Sequence, residues 1–250
     1  KTYHMFGPGL AQSQEHLGVK YDRSLGANWS IEANPYYDSS EVGGILSNST
    51  MANAQVINWE DQDVGLTVQG NKKYSKGNLL VGAQLETYKL IDSTLVGDGA
   101  GNPDTIQYSN GQPLLELGGE SSSSAFFQEK HRFTNEWIVN AGARYDYKVR
   151  KSGTNYDNLS PRLALIYLPN STWENKLVYS QSFEDAPYWY RYNHLKLFAG
   201  SSALNPEVLS AIQYQNVWKS ADKTKRNAVT LYYQNAKNLV TATGAARSFI

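Results

Sequence analysis

The sequence predicts an all-β fold, an antiparallel transmembrane β-barrel contributing about 10–11 strands, and three observations carry that prediction. Apolar and polar residues alternate with a period of two along most of the 250 residues, while helical periodicity is nearly absent. Short polar turns alternate with long links, so all the short turns fall at one end of the sheet. Trp29, Trp137, Trp173 and Trp218 each lie close to a short turn. Indole rings settle where one edge is wet and the other apolar, so they mark a membrane interface.

The strands follow in order. The first, 11–22, sets Leu17, Val19 and Tyr21 against His16, Lys20 and Asp22; the second, 26–38, sets Trp29, Ile31 and Ala33 against Asn28, Ser30 and Glu32. Strands at 54–71 and 77–92 follow, the latter alternating Leu79, Val81, Ala83 and Leu85 with Asn78, Gln84 and Glu86. After 121–132 comes the clearest case, 135–150. Trp137, Val139, Ala141, Ala143, Tyr145, Tyr147 and Val149 occupy one face, and Asn140, Arg144, Asp146, Lys148 and Arg150 the other. Strands at 157–168, 172–184, 207–219 and 225–237 complete the set. The long links are 39–53, 93–120, 151–156 and 185–206. An apolar band needs only about 9–11 residues per tilted strand, so several of these strands should project beyond the bilayer as rigid hairpins.

Composition narrows the function classes. Lys plus Arg equals Asp plus Glu, at 23 each, so no basic footprint for nucleic acid exists. Cysteine is absent, which removes disulfides, thiolate metal sites and cysteine nucleophiles. The 18 tyrosines outnumber the 7 phenylalanines and 6 tryptophans combined, as an interfacial belt requires. A β-sandwich or soluble barrel would need a Leu and Ile core that is not visible here.

Four segments carry a family resemblance. Ala125-Phe126-Phe127-Gln128-Glu129-Lys130, then Trp137 through Tyr147, resembles the hairpin "FxQ … W … GxRYDY" of TonB-dependent outer-membrane receptors. Leu159-Ser160-Pro161-Arg162 resembles their "SPR" strand start. Tyr179-Ser180-Gln181-Ser182-Phe183 through Pro187 is similar to their "Y-S-x-x-F-R-A-P" box, with Glu184-Asp185 in place of the arginine; Leu204-Asn205-Pro206-Glu207 resembles the box that follows. The resemblance covers residues 120–240 by motif and 11–92 by pattern.

The resemblance implies an outer-membrane location in a Gram-negative bacterium and active uptake of a scarce nutrient: a siderophore-iron complex, haem, cobalamin or a glycan. It implies a barrel of 22 strands filled by a plug, of which residues 1–250 would be one part. No stretch here resembles a plug or its TonB-binding segment, so the chain is expected to be a fragment of a longer receptor. Its expected partners are the TonB complex through that plug, outer-membrane lipids, a large nutrient ligand and a surface lipoprotein.

Candidate site residues fall in three groups. The link from Glu184 to Pro206 holds Tyr188, Trp189, Tyr190, Arg191, Tyr192 and His194, a set suited to stacking and cation–π contact with a flat or sugar-like ligand. The outer belt demands the same aromatics whatever the ligand. In haem receptors of this family an axial histidine lies between the two boxes, where His194 sits; an exposed loop histidine is the plainer reading. Between Lys89 and Lys130 there are carboxylates but no Lys or Arg. Asp98 and Asp104 there could hold Ca²⁺ at an outer loop, without EF-hand spacing, or stand in a solvated loop tip. Arg144, Asp146, Lys148, Arg162 and Arg226 are expected to face the lumen and pair across strands. No covalent cofactor and no enzyme are expected: neither His16 nor His131 pairs with a rim Asp at a defensible spacing. A passive porin and, less favoured, a surface β-barrel enzyme remain the alternatives.

Overall fold

The computed structural model describes residues 9–47, 55–96, 114–194 and 200–241. The strands are β1 (Gly9–Gly18), β2 (Tyr21–Gly26), β3 (Trp29–Ser47), β4 (Gln55–Tyr74), β5 (Gly77–Val96) and β6 (Gly118–Arg132). They continue as β7 (Trp137–Val149), β8 (Tyr156–Tyr167) and β9 (Trp173–Glu184). One five-residue helix, α1 (Tyr188–Tyr192), precedes β10 (Glu207–Lys219) and β11 (Arg226–Lys237). All eleven strands form one antiparallel meander, each pairing with its neighbour in sequence, with β1 and β2 sharing β3 as partner. The sheet is not closed among the described residues: β1–β2 and β11 are its edges.

Two expectations of the sequence are corrected. The first strand, expected as continuous over 11–22, is two, interrupted after Gly18 opposite Pro35. Proline has no N–H to donate to the ladder, and the register survives there through the Val19 N–H donating to the Pro35 carbonyl at 3.0 Å. The links expected at 39–53 and 93–120 are also shorter, because β3, β4 and β5 run to 19, 20 and 20 residues. Their distal halves, with Ser39, Ser40, Glu41 and Asp92 in the ladder, remain paired beyond the apolar band. Once both faces are wet, hydrophobic alternation fades while backbone pairing persists, so polarity there reads falsely as loop.

The two faces differ sharply. Leu66, Leu85, Phe127, Tyr145, Leu163, Leu177, Tyr214 and Leu231 are all exposed, and the cross-strand register places them on one face. So extensive an apolar surface marks contact with an apolar phase rather than water. The opposite face carries His16, Asp38, Asp63, Glu86, Arg144, Asp146 and Arg162. At the short-turn end the belt residues pair across strands on the apolar face. Trp137 stacks on Tyr167 at 4.4 Å, Trp218 lies opposite Trp173, and the Lys72 ammonium sits over Trp29 at 5.3 Å.

Candidate functional site

The opposite, long-link end is where the chain folds back on itself. Pro187 opens α1 by accepting a bond from the Tyr190 N–H at 2.9 Å, and the helix lies against the polar face of β4, β5 and β6. Trp189 packs on Trp59 with ring centroids 5.3 Å apart, and Tyr188 on Tyr88 at 5.2 Å. Beneath them Ile57, Leu90, Leu95, Leu114 and Leu115 form the buried apolar cluster. The segment at Leu115 joins the same assembly. Leu115 forms an antiparallel bridge with Asn193, the His194 N–H donates to the Leu114 carbonyl at 2.8 Å, and the Glu116 N–H to the Tyr192 carbonyl at 3.0 Å. Residues from two long links are thus sewn together.

A buried ion cluster holds α1 in place. Arg191, 3 % exposed, meets both carboxylate oxygens of Glu120, 5 % exposed, with Nη2 to Oε2 at 2.5 Å. Its Nε donates to the Ala186 carbonyl at 2.7 Å, and its Nη2 lies 3.2 Å from Asp185 Oδ2. Lys148 bridges Glu120 and Asp185 at 3.1 and 3.0 Å. Arg150 pairs with Asp185 and donates to the Leu204 carbonyl at 2.8 Å, so both motif boxes are tied to the residue that follows β7. The Tyr192 hydroxyl lies 2.8 Å from Glu120 Oε1 and 2.9 Å from the Ser152 carbonyl. Burial alone would raise the Glu120 carboxyl, but the Arg191 bonds, the charges of Lys148 and Arg191 and the Tyr192 hydroxyl outweigh it and hold it at about 2.

This geometry sorts the expected ligand-binding residues. Arg191 and Tyr192 are buried, and their polar atoms are engaged by Glu120. Tyr188 donates to the Glu116 carbonyl at 2.6 Å. Trp189, Tyr190 and His194 stay partly open, with the His194 Nε2 4.0 Å from Glu116 Oε1, while Lys151 pairs with the other oxygen of that carboxylate. Asp98 and Asp104 lie outside the described residues. Sequence reasoning missed Glu120, Arg150 and Asp185 as partners of the aromatic link. The only available signal was the acidic pair where the motif box calls for arginine.

The polar wall below has its own network. Arg144 donates through Nε to Asp146 at 2.7 Å, and through Nη2 to Gln84 at 2.9 Å and Ser124 at 2.7 Å. Asp146 also accepts from Ser124 at 2.6 Å. Arg162 shares that face, and Arg226 lies at its short-turn end opposite Lys219. On β1 and β3, His16 Nδ1 lies 2.6 Å from Asp38 Oδ1, a pairing across the sheet that sequence spacing did not show.

Residues 2–249 match the family model described as TonB dependent receptor-like, beta-barrel. The chain belongs to that family.

Solved structures of similar shape agree. A structure titled copper transporter OprC superposes with a TM-score of 0.72 at 12 % identity, over 97 % of this chain and 41 % of that one. The FrpB iron transporter from Neisseria meningitidis gives 0.66 at 12 % identity, over 96 % and 40 %. The ferric enterobactin receptor PfeA from Pseudomonas aeruginosa gives 0.69 at 14 % identity, over 92 % and 35 %. No curated protein matches the sequence. The chain thus spans less than half of these TonB-dependent receptors. At such identities the likeness concerns the fold: the antiparallel sheet here is that of an outer-membrane receptor barrel. Family and neighbours are receptors and transporters.

Proposed function

We propose that the chain forms barrel wall and vestibule of a TonB-dependent transporter that takes up a scarce nutrient too large to diffuse through a pore, of the siderophore-iron class. The observation that carries this reading is the docking of α1 and the Leu115 segment on the polar face at the long-link end. Loops folded over the lumen side make a shaped mouth, which an open diffusion pore does not need. The apolar face contacts outer-membrane lipid, and the polar face lines the lumen, where a plug carrying the TonB-binding segment would pack. Trp189, Tyr190 and His194 stand at the mouth, and aromatic and imidazole groups suit a metal chelate or another flat conjugated ligand. Haem, cobalamin and glycans share that chemistry in part. Structures titled as copper and iron transporters support the metal-complex class.

The test is energy dependence. Cells expressing the full receptor should accumulate a labelled ferric siderophore, lose accumulation when a protonophore collapses the proton gradient, and retain surface binding. Accumulation indifferent to the protonophore would mean passive diffusion and overturn the reading.

A further inference from the structure

Behind Phe127, Ala143 and Leu163 on the apolar face, the polar face holds a recess of about 270 Å³ whose walls include Phe126, Gln128, Asn140, Arg144, Ser160 and Arg162. Its charge is one-sided: two guanidinium groups and no carboxylate stand on the wall, beside amides and a hydroxyl that can donate or accept. Arg144 is committed to Asp146, Gln84 and Ser124. Arg162, Gln128 and Asn140 have no side-chain partner among the described residues. The Ser160 hydroxyl oxygen accepts from Asn158 at 3.0 Å, which leaves its proton available. Adjacent strands bring these groups together: Gly142 lies opposite both Arg162 and Gln128, so no side chain separates the guanidinium from the amide. A Cβ at Gly142 would meet the Phe127 carbonyl at 2.7 Å, so the gap cannot be filled at no cost.

Arg162 is exposed on the polar face, so its guanidinium is open to a ligand from that side. We propose that this recess binds a carboxylate. Arg162 supplies the charge and a two-pronged donor, Asn140 and Gln128 complete the donor set, and the Phe126 ring supports the carbon attached to the carboxylate. The carboxylate belongs either to a molecule in transit or to an Asp or Glu of a protein segment seated in the lumen. The proposal rests on the polar face being the lumen wall, and its test reads binding rather than transport, so the two can fail separately.

The receptor solubilised from outer membranes is titrated calorimetrically with phenylacetate and with neutral phenylacetamide, and its thermal midpoint is recorded. Arg162→Gln and Asn140→Asp are compared with Lys176→Gln, which removes an unpartnered charge outside the recess. A transit site predicts binding of phenylacetate but not the amide, weakened about tenfold or more by Arg162→Gln and by Asn140→Asp, because charge-assisted hydrogen bonds are lost. A site filled by a protein carboxylate predicts no phenylacetate binding, with a melting point lowered by several degrees in both recess variants and unchanged in Lys176→Gln. Equal binding of acid and amide, phenylacetate binding that survives Arg162→Gln, or no binding together with no melting difference overturns the proposal.

Discussion

The two ends of this sheet are built by different physics. At the short-turn end, each feature is set by residues close in sequence or directly opposite in the ladder: Trp137 on Tyr167, Lys72 over Trp29, Trp173 opposite Trp218. At the long-link end, the decisive contact joins Glu120 to Arg191, 71 residues apart. A barrel wall is a single layer with lipid on one side and lumen on the other, so it has no core of its own across the membrane. A buried apolar cluster forms where a loop folds back on the wall, at Ile57, Leu90, Leu95, Leu114 and Leu115, while Ile138, Ala164 and Val217, nearer the short turns, are buried outside that cluster. One end is therefore held by local pairing along the ladder, the other by a buried apolar cluster of its own.

The sharpest way to break the comparison is to remove one charge from the buried cluster. Glu120→Gln leaves the Arg191 guanidinium buried without its main counter-charge, and should destabilise the docked α1 segment by about 3–5 kcal/mol. Limited proteolysis should then cut within 185–206 while the strands resist. A matching change at the short-turn end, Glu174→Gln, touches only the partly exposed pair with Lys219, 3.7 Å apart, and should move stability by less than about 1 kcal/mol. Equal proteolysis in the two variants would mean that the ion cluster does not hold the loop.

The same cluster fixes a pH response. Glu120 is held below its ordinary value of 4.5, at about 2. A lowered carboxyl stabilises the fold fully above the unfolded value, and the contribution is lost as pH falls through the folded one. Docking of α1 should therefore be constant from neutral pH to about 4.5 and weaken progressively from there towards 2. Tryptophan fluorescence reports it, since Trp59 and Trp189 are in contact. A transition near neutrality would exclude Glu120 as the titrating group.

Trp59→Ala tests the apolar half of the same end. Trp59 is half-buried against Trp189, so the loss should be about 2 kcal/mol, roughly half that of a fully buried tryptophan. Trp59 was legible in the sequence only as one more strand residue. The motif boxes, the alternation in β7 and the tryptophans near the turns were legible because each is a local pattern that backbone geometry converts directly into a face. The partners of α1 were not, because pairing across 71 residues depends on how far β5 and β6 extend, and the polar ends of long strands resemble loops. Arg191 and Tyr192 illustrate the consequence: residue type suggested ligand contact, and the fold buries both against Glu120.

The smallest expected effect lies at the short-turn end and has the opposite sign. The two-residue turn between β2 and β3 places Ala27 at φ 45° and Asn28 at φ 64°, both in the left-handed region. A hairpin turn of this kind suits the twist of its strands, but it favours Asn or Gly, and alanine there brings its Cβ close to the carbonyl oxygen. Ala27→Gly should relieve that strain and stabilise the hairpin by about 0.5–1 kcal/mol, the gain being reduced by the greater freedom of glycine in the unfolded chain. Because the turn and the α1 cluster share no residues, Ala27→Gly and Glu120→Gln should be additive within about 0.5 kcal/mol in urea unfolding of the solubilised receptor. A coupling well beyond that would mean the two ends communicate through the strands, and the division drawn between them would fail.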